Sequence, residues 1–161
     1  ERCEVVEGQA TCVKDTEALC WATGDPHYQT FDGKNFDFMG TCTYVLSKTC
    51  ASDAALPVFS VEAKNENRGN TKVSYVGSVT VRVYNVTIAV VRGETGIVRV
   101  NNQRSRLPIS LADGRIKAYQ NGDSVLIKTD FSLKVFFDWE HHLVVKIPGK
   151  LSGKVCGLCG N

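Results

Sequence analysis

An all-β domain of antiparallel strands, closed as a sandwich or a barrel, is the fold class this sequence predicts. Three observations carry the prediction. Apolar and polar residues alternate with period two over long stretches, turn-forming residues punctuate those stretches, and no amphipathic helix of normal length can be found. At 161 residues and 43% hydrophobic content the chain is large enough to bury a real core, so bridges alone need not hold it together.

The elements follow in chain order. Residues 1–19 lack the alternation and read as the tail of a preceding small cysteine-rich module. Asp32-Gly33, between aromatic-rich segments, is a hairpin signal. Short β-like runs then lie at Tyr44–Leu46 and Val58–Ala63, followed by a turn over Asn67-Arg68-Gly69-Asn70. Val79, Val81 and Val83 alternate with Thr80, Arg82 and Tyr84, and after Asn85 the pattern resumes with Val86, Ile88 and Val90. Runs at Ile97–Val100, Ile116–Tyr119 and Ser124–Thr129 follow, the last two separated by Asn121-Gly122-Asp123. Phe131, Leu133, Val135 and Phe137 alternate with Ser132, Lys134 and Phe136. Leu143, Val145 and Ile147 complete the set before Pro148-Gly149.

Composition narrows the function classes. The net charge of +2 conceals an asymmetry: residues 1–63 sum to −6, 64–106 to +6 and 107–161 to +2. The arginines of the basic stretch are spread among strands, without the dense run or aromatic interleaving of a nucleic-acid surface, so no nucleic-acid partner is expected. No apolar run approaches the ~20 residues of a membrane helix. The start has neither the basic nor the apolar region of a secretory signal, and the chain reads as a piece of something longer. Five of its seven cysteines (Cys3, Cys12, Cys20, Cys42, Cys50) fall in the first fifty residues and two (Cys156, Cys159) in the last six, which favours a disulfide-forming, secreted context.

Several segments could carry chemistry. Gly24-Asp25-Pro26-His27 contains an acid-labile Asp-Pro bond. The Asp25 carboxyl can attack its own carbonyl carbon and close a five-membered anhydride as the Pro26 nitrogen leaves, with His27 able to donate the proton that nitrogen needs. Read plainly, the same residues form a turn entering a strand. Asp32 is a possible cation ligand, though a turn aspartate commonly caps its own backbone. Cys156-Gly157-Leu158-Cys159 is a C-x-x-C; structural bridges, a redox pair and a metal site are all open to it, and structural bridges fit the all-β context best. His141-His142, adjacent on a strand, would point to opposite faces. Asn85-Val86-Thr87 is a glycosylation sequon at a strand end.

Taken together, Gly24-Asp25-Pro26-His27-Tyr28, Thr30-Phe31-Asp32-Gly33, Phe38-Met39-Gly40-Thr41-Cys42-Thr43-Tyr44-Val45-Leu46 and Lys154-Val155-Cys156-Gly157-Leu158-Cys159-Gly160-Asn161 resemble a von Willebrand factor type D domain. The resemblance runs over residues 20–161. It implies an extracellular antiparallel β-sandwich with disulfides joining its N- and C-terminal ends. It implies calcium held by Asp32 and Asn161 with further ligands beyond the closing motif, and self-cleavage between Asp25 and Pro26 in some members. It also implies the pairings Cys20–Cys159, Cys50–Cys156 and Cys3–Cys12, with Cys42 bonded beyond residue 161.

The function expected on this footing is non-enzymatic. The chain would be a structural and assembly module of a large secreted, disulfide-linked glycoprotein of mucus-like or adhesive type, built of repeated domains. Its partners would be neighbouring domains and other extracellular glycoproteins. Two other readings stand beside it: thiol–disulfide exchange through Cys156 and Cys159 during assembly, and a ligand-binding module for an extracellular protein.

Overall fold

The structure is a computed structural model and describes residues 2–13, 17–23, 27–37, 42–51, 55–67, 74–151 and 153–160. Seventeen strands are described: β1 (Arg2–Val6), β2 (Gln9–Val13), β3 (Glu17–Thr23), β4 (His27–Gln29), β5 (Asn35–Asp37), β6 (Thr43–Thr49), β7 (Phe59–Asn67), β8 (Ser74–Val83), β9 (Val86–Val91), β10 (Ile97–Val100), β11 (Gln103–Arg106), β12 (Ile109–Leu111), β13 (Ile116–Asn121), β14 (Ser124–Thr129), β15 (Lys134–Phe137), β16 (Leu143–Pro148) and β17 (Val155–Cys156). A 3-10 turn at Gly149–Leu151 is the one helical element among the described residues, and no helix there is long and apolar enough to cross a membrane.

The strands form two large antiparallel sheets and one small one. A seven-stranded sheet runs β11-β10-β9-β8-β7-β6-β17, an eight-stranded sheet runs β12-β13-β14-β15-β16-β3-β4-β5, and β1 pairs with β2 alone. The all-β antiparallel class read from the alternation is therefore the fold, in the two-sheet form that the resemblance implies. Val79, Val81 and Val83 of β8 are buried to within 3% exposure and Arg82 is exposed, as period two requires. Ile88 and Val90 of β9 continue the same inner face; Ile116, Ile127, Val135, Phe137, Leu143, Val145 and Ile147 supply the facing one.

The turns explain why the strands stop where they do. Tyr84 and Asn85, with φ of 50° and 60°, make the two-residue connection between Val83 and Val86, which pair directly. Both central residues at positive φ match the right-handed twist of the hairpin. Phe131 and Leu133 belong to a turn rather than a strand, with Ser132 at φ 67° and the Leu133 amide donating to Thr129 Oγ1. Both side chains nevertheless remain in the core. His141 and His142 also lie in a turn, not on a strand.

Two features set up the site. β3 is interior to its sheet, between its sequence neighbour β4 and β16 from the other end of the chain. In β6 the register slips between Val45 and Ser47 against β7, leaving Leu46 as the extra residue of a bulge.

Candidate functional site

The bulge in β6 frees carbonyls that the sheet would otherwise use, and the closing loop takes them. The Leu158 amide donates to Val45 O at 3.0 Å and the Cys159 amide to Leu46 O at 2.9 Å. Gly157 permits this approach. Its φ is +129°, and a Cβ there would stand 2.5 Å from Leu46 O and 2.9 Å from Val45 O, so no side chain fits. The carbonyl of Cys159 in turn accepts from the Phe31 amide at 2.9 Å. Cys159 is bonded to Cys20 of β3, with Cα atoms 5.7 Å apart, and both residues are buried. Strand β3, the β4–β5 turn, the β6 bulge and the closing loop thus meet at one seam. Cys20–Cys159 is a bridge across the two ends of the fold.

Asp32 sits at this seam, in the Thr30–Lys34 turn that the Asp32-Gly33 signal predicts. The Thr30 amide donates to Lys34 O at 2.9 Å and the Gly33 amide to Thr30 O at 3.0 Å, with Gly33 at φ 82°. The Thr30 hydroxyl donates to Asp32 Oδ1, and Lys34 Nζ lies 3.8 Å from Oδ2. Chiefly through that hydroxyl, then its own backbone amide and the lysine, the carboxyl is held below the usual carboxylate range. Asp32 therefore presents an exposed, ionised carboxylate one residue from the backbone bond to Cys159. An anionic oxygen on a fixed turn is the donor type a hard cation takes, but such a cation requires six to eight oxygens. Asn161, the other expected ligand, lies outside the described residues.

His27 opens β4, exposed, in register with Thr23 across the hairpin. Asp25 and Pro26 lie outside the described residues. The cysteines differ from expectation in one respect. The Cys50–Cys156 bridge is not formed: both are thiols, one on either side of the Thr49–Val155 pair of β6 and β17. The Cys50 sulfur donates to Lys154 O at 3.8 Å, and its hydrogen bond with the Cys156 thiol pushes the Cys50 thiol up. Because Cys159 is engaged by Cys20, Cys156 and Cys159 are not a dithiol pair. Cys3 is disulfide-bonded and lies opposite Cys12 in the β1–β2 register; Cys42 is an exposed thiol.

A cluster that the sequence reading passed over is Asp138, Glu140 and His141. Asp138 Oδ1 accepts the amides of Glu140, His141 and His142 at 2.9–3.0 Å. Burial opposes ionisation of Asp138, yet these three donors outweigh it and hold the carboxyl below the usual range. That is the work of a turn cap. The signal, Asp followed by a turn, is too common to have been singled out. Asn85 is exposed at the tip of the β8–β9 hairpin.

Comparison with known proteins adds a family. A sequence model of the von Willebrand factor type D domain matches residues 20–161. The chain is similar to human IgGFc-binding protein, 52% identical over 161 residues, covering 100% of the chain and 3% of that protein. It is 44% identical to mouse alpha-tectorin over 150 residues, 93% of the chain and 7% of the relative. To human zonadhesin it is 43% identical over 162 residues, 100% of the chain and 6% of the relative. The chain thus spans less than a tenth of the length of these curated relatives.

Proposed function

The chain belongs to the von Willebrand factor type D family, and on that premise we propose that it is a calcium-binding structural and assembly module of a large extracellular glycoprotein. The observation that carries the reading is the seam. One buried bridge and three backbone hydrogen bonds fasten β3, the β4–β5 turn and the β6 bulge to the closing loop, and Asp32 stands beside them. An ion bound by Asp32, Asn161 and oxygens beyond residue 161 would tie the same elements a second time. Its contribution would be structural, cross-linking the first turn to the closing segment, with no turnover. Asn85, exposed on a hairpin tip, suits a glycan; glycosidase treatment of secreted protein should remove mass from the wild type and none from Asn85→Gln.

Self-cleavage of Asp25–Pro26 belongs to the same proposal. His27, exposed on β4 and next to Pro26 in the chain, is the proton donor in this route to the leaving Pro26 nitrogen. Both readings are tested on one protein extended past Asn161. Calorimetric titration with calcium should show binding that Asp32→Ala weakens at least tenfold; unchanged binding removes Asp32 from the site. Incubation at about pH 5.5–6, near the histidine range, should produce a new N-terminus at Pro26. The two pieces should separate on gels only after reduction, because Cys20–Cys159 spans the cut. Equal cleavage of Asp25→Ala would sink the anhydride route.

A further inference from the structure

The outer face of the eight-stranded sheet carries two parallel rows that the registers define. Its inner face is fixed by buried Ala118, Ile127, Val135, Val145 and Cys20. By alternation, the residues between them point outward. Lys117 pairs with Lys128, Lys128 with Lys134, and Lys134 with Lys146, so four lysines stand directly beside one another on four consecutive strands. Two residues along each strand, Tyr119 pairs with Leu126, Leu126 with Phe136, Phe136 with Val144, and Val144 with Trp21 of β3. Leu126 is 5% exposed and the other four are half-buried, so this second row is a low apolar and aromatic surface beside the taller lysines.

With strands about 4.8 Å apart, the four lysine stems span about 14 Å. Like charges directly opposite in a sheet destabilise it, and little here relieves them. Among the described residues one carboxylate reaches the row, Glu17 at 3.1 Å from Lys134, while Lys146 Nζ lies 5.3 Å from the centre of the Phe136 ring. The other sheet differs: Arg82 is paired with Glu62, and Arg99 and Arg104 share Glu94. Among the described residues, directly opposed like charges with so little relief are therefore found on this face.

From this juxtaposition we infer that the lysine row and the aromatic row beside it form a docking surface for a sulfated polysaccharide. The ammonium groups meet sulfates as compact point charges, and the apolar faces of the sugar rings lie on Tyr119, Phe136 and Trp21. The rows cross the interior strands β13–β16, where the backbone groups are already paired, so an acidic peptide gains no strand pairing there. An extended sugar chain needs none. Nucleic acid is the less fitting polyanion for an extracellular domain.

Heparin is the probe. The chain should be retained on immobilised heparin at low salt, and titration with sized heparin should give the affinity and its salt dependence. Lys117→Gln with Lys128→Gln should weaken binding at least tenfold and lower the slope of log K against log salt by about two. This double variant should unfold at the same or a higher denaturant concentration, since repulsion is relieved. Lys48→Gln with Lys64→Gln, an equal charge change on the other sheet, should leave affinity within about twofold. Tyr119→Ser should weaken heparin binding while leaving elution from a plain sulfonate exchanger unchanged. The inference is overturned by failure to bind, by equal losses in the two lysine pairs, or by insensitivity to Tyr119→Ser. Equally tight binding of desulfated heparin, polyglutamate or DNA would overturn it as well.

Discussion

Replacing both Cys20 and Cys159 by alanine removes a bridge whose half-cystines are 139 residues apart, without leaving an orphan thiol. In the chain-entropy account, a closed loop of that length restricts the unfolded ensemble by about 5 kcal/mol at 25 °C. A single domain has about 5–15 kcal/mol of net stability, so the bridge accounts for a third of it or more. The loop should still dock in the variant, because the Leu158, Cys159 and Phe31 amides keep their carbonyl partners. The native fold is thus retained and the loss falls mainly on the unfolded side. Urea unfolding followed by tryptophan fluorescence measures it, with fully buried Trp139 as the internal reporter. We expect the double variant to lose about 3–5 kcal/mol and to show a larger m-value, since an unbridged chain exposes more surface on unfolding. A loss under about 1 kcal/mol with m unchanged would refute the reasoning that this bridge restrains the unfolded state.

Gly157→Ala should destabilise by about 2–4 kcal/mol, from a strained φ and at least one weakened loop hydrogen bond, measured by the same urea titration. A loss below 0.5 kcal/mol would show that the loop can dock elsewhere. Asp138, with its folded pKa depressed, contributes stability that is present above the unfolded value of about 3.9 and lost as pH falls through the lower folded value. Unfolding curves of Asp138→Asn should therefore depend less on pH below about 4 than those of the wild type. Parallel curves would remove Asp138 from the acid limb.

Much of the fold can be read from alternation where large apolar residues point inward. β8 and β9 follow from Val79 to Val90 in this way, and the Asp32-Gly33 turn from its composition. β3 escapes the rule because its inward residues are the small Cys20 and Ala22 while Trp21 faces out, so size and burial run opposite to habit. β11 is hidden for another reason. Gln103–Arg106 is polar throughout, which suits an edge strand that must not recruit another chain. At the site, the end-to-end bridge followed from resemblance to a family. The role of Asp138 depends on three backbone donors, which no side-chain pattern records. Cys50 and Cys156 adjoin as expected, close enough for their thiols to share a hydrogen bond, but no bridge joins them.

The position of β3 between β16 and β4 also has a consequence in time. At about 5–20 residues per second, a ribosome completes Cys159 roughly 7–28 s after Cys20. For most of that interval β3 has one edge without β16, and Cys20 lacks its native partner while Cys42 and Cys50 are already within reach along the chain. Any bond formed among those early cysteines must be exchanged before the domain can close. Where such a bond forms, closure of the domain requires its isomerisation, at a step that cannot begin until nearly the whole domain has been made.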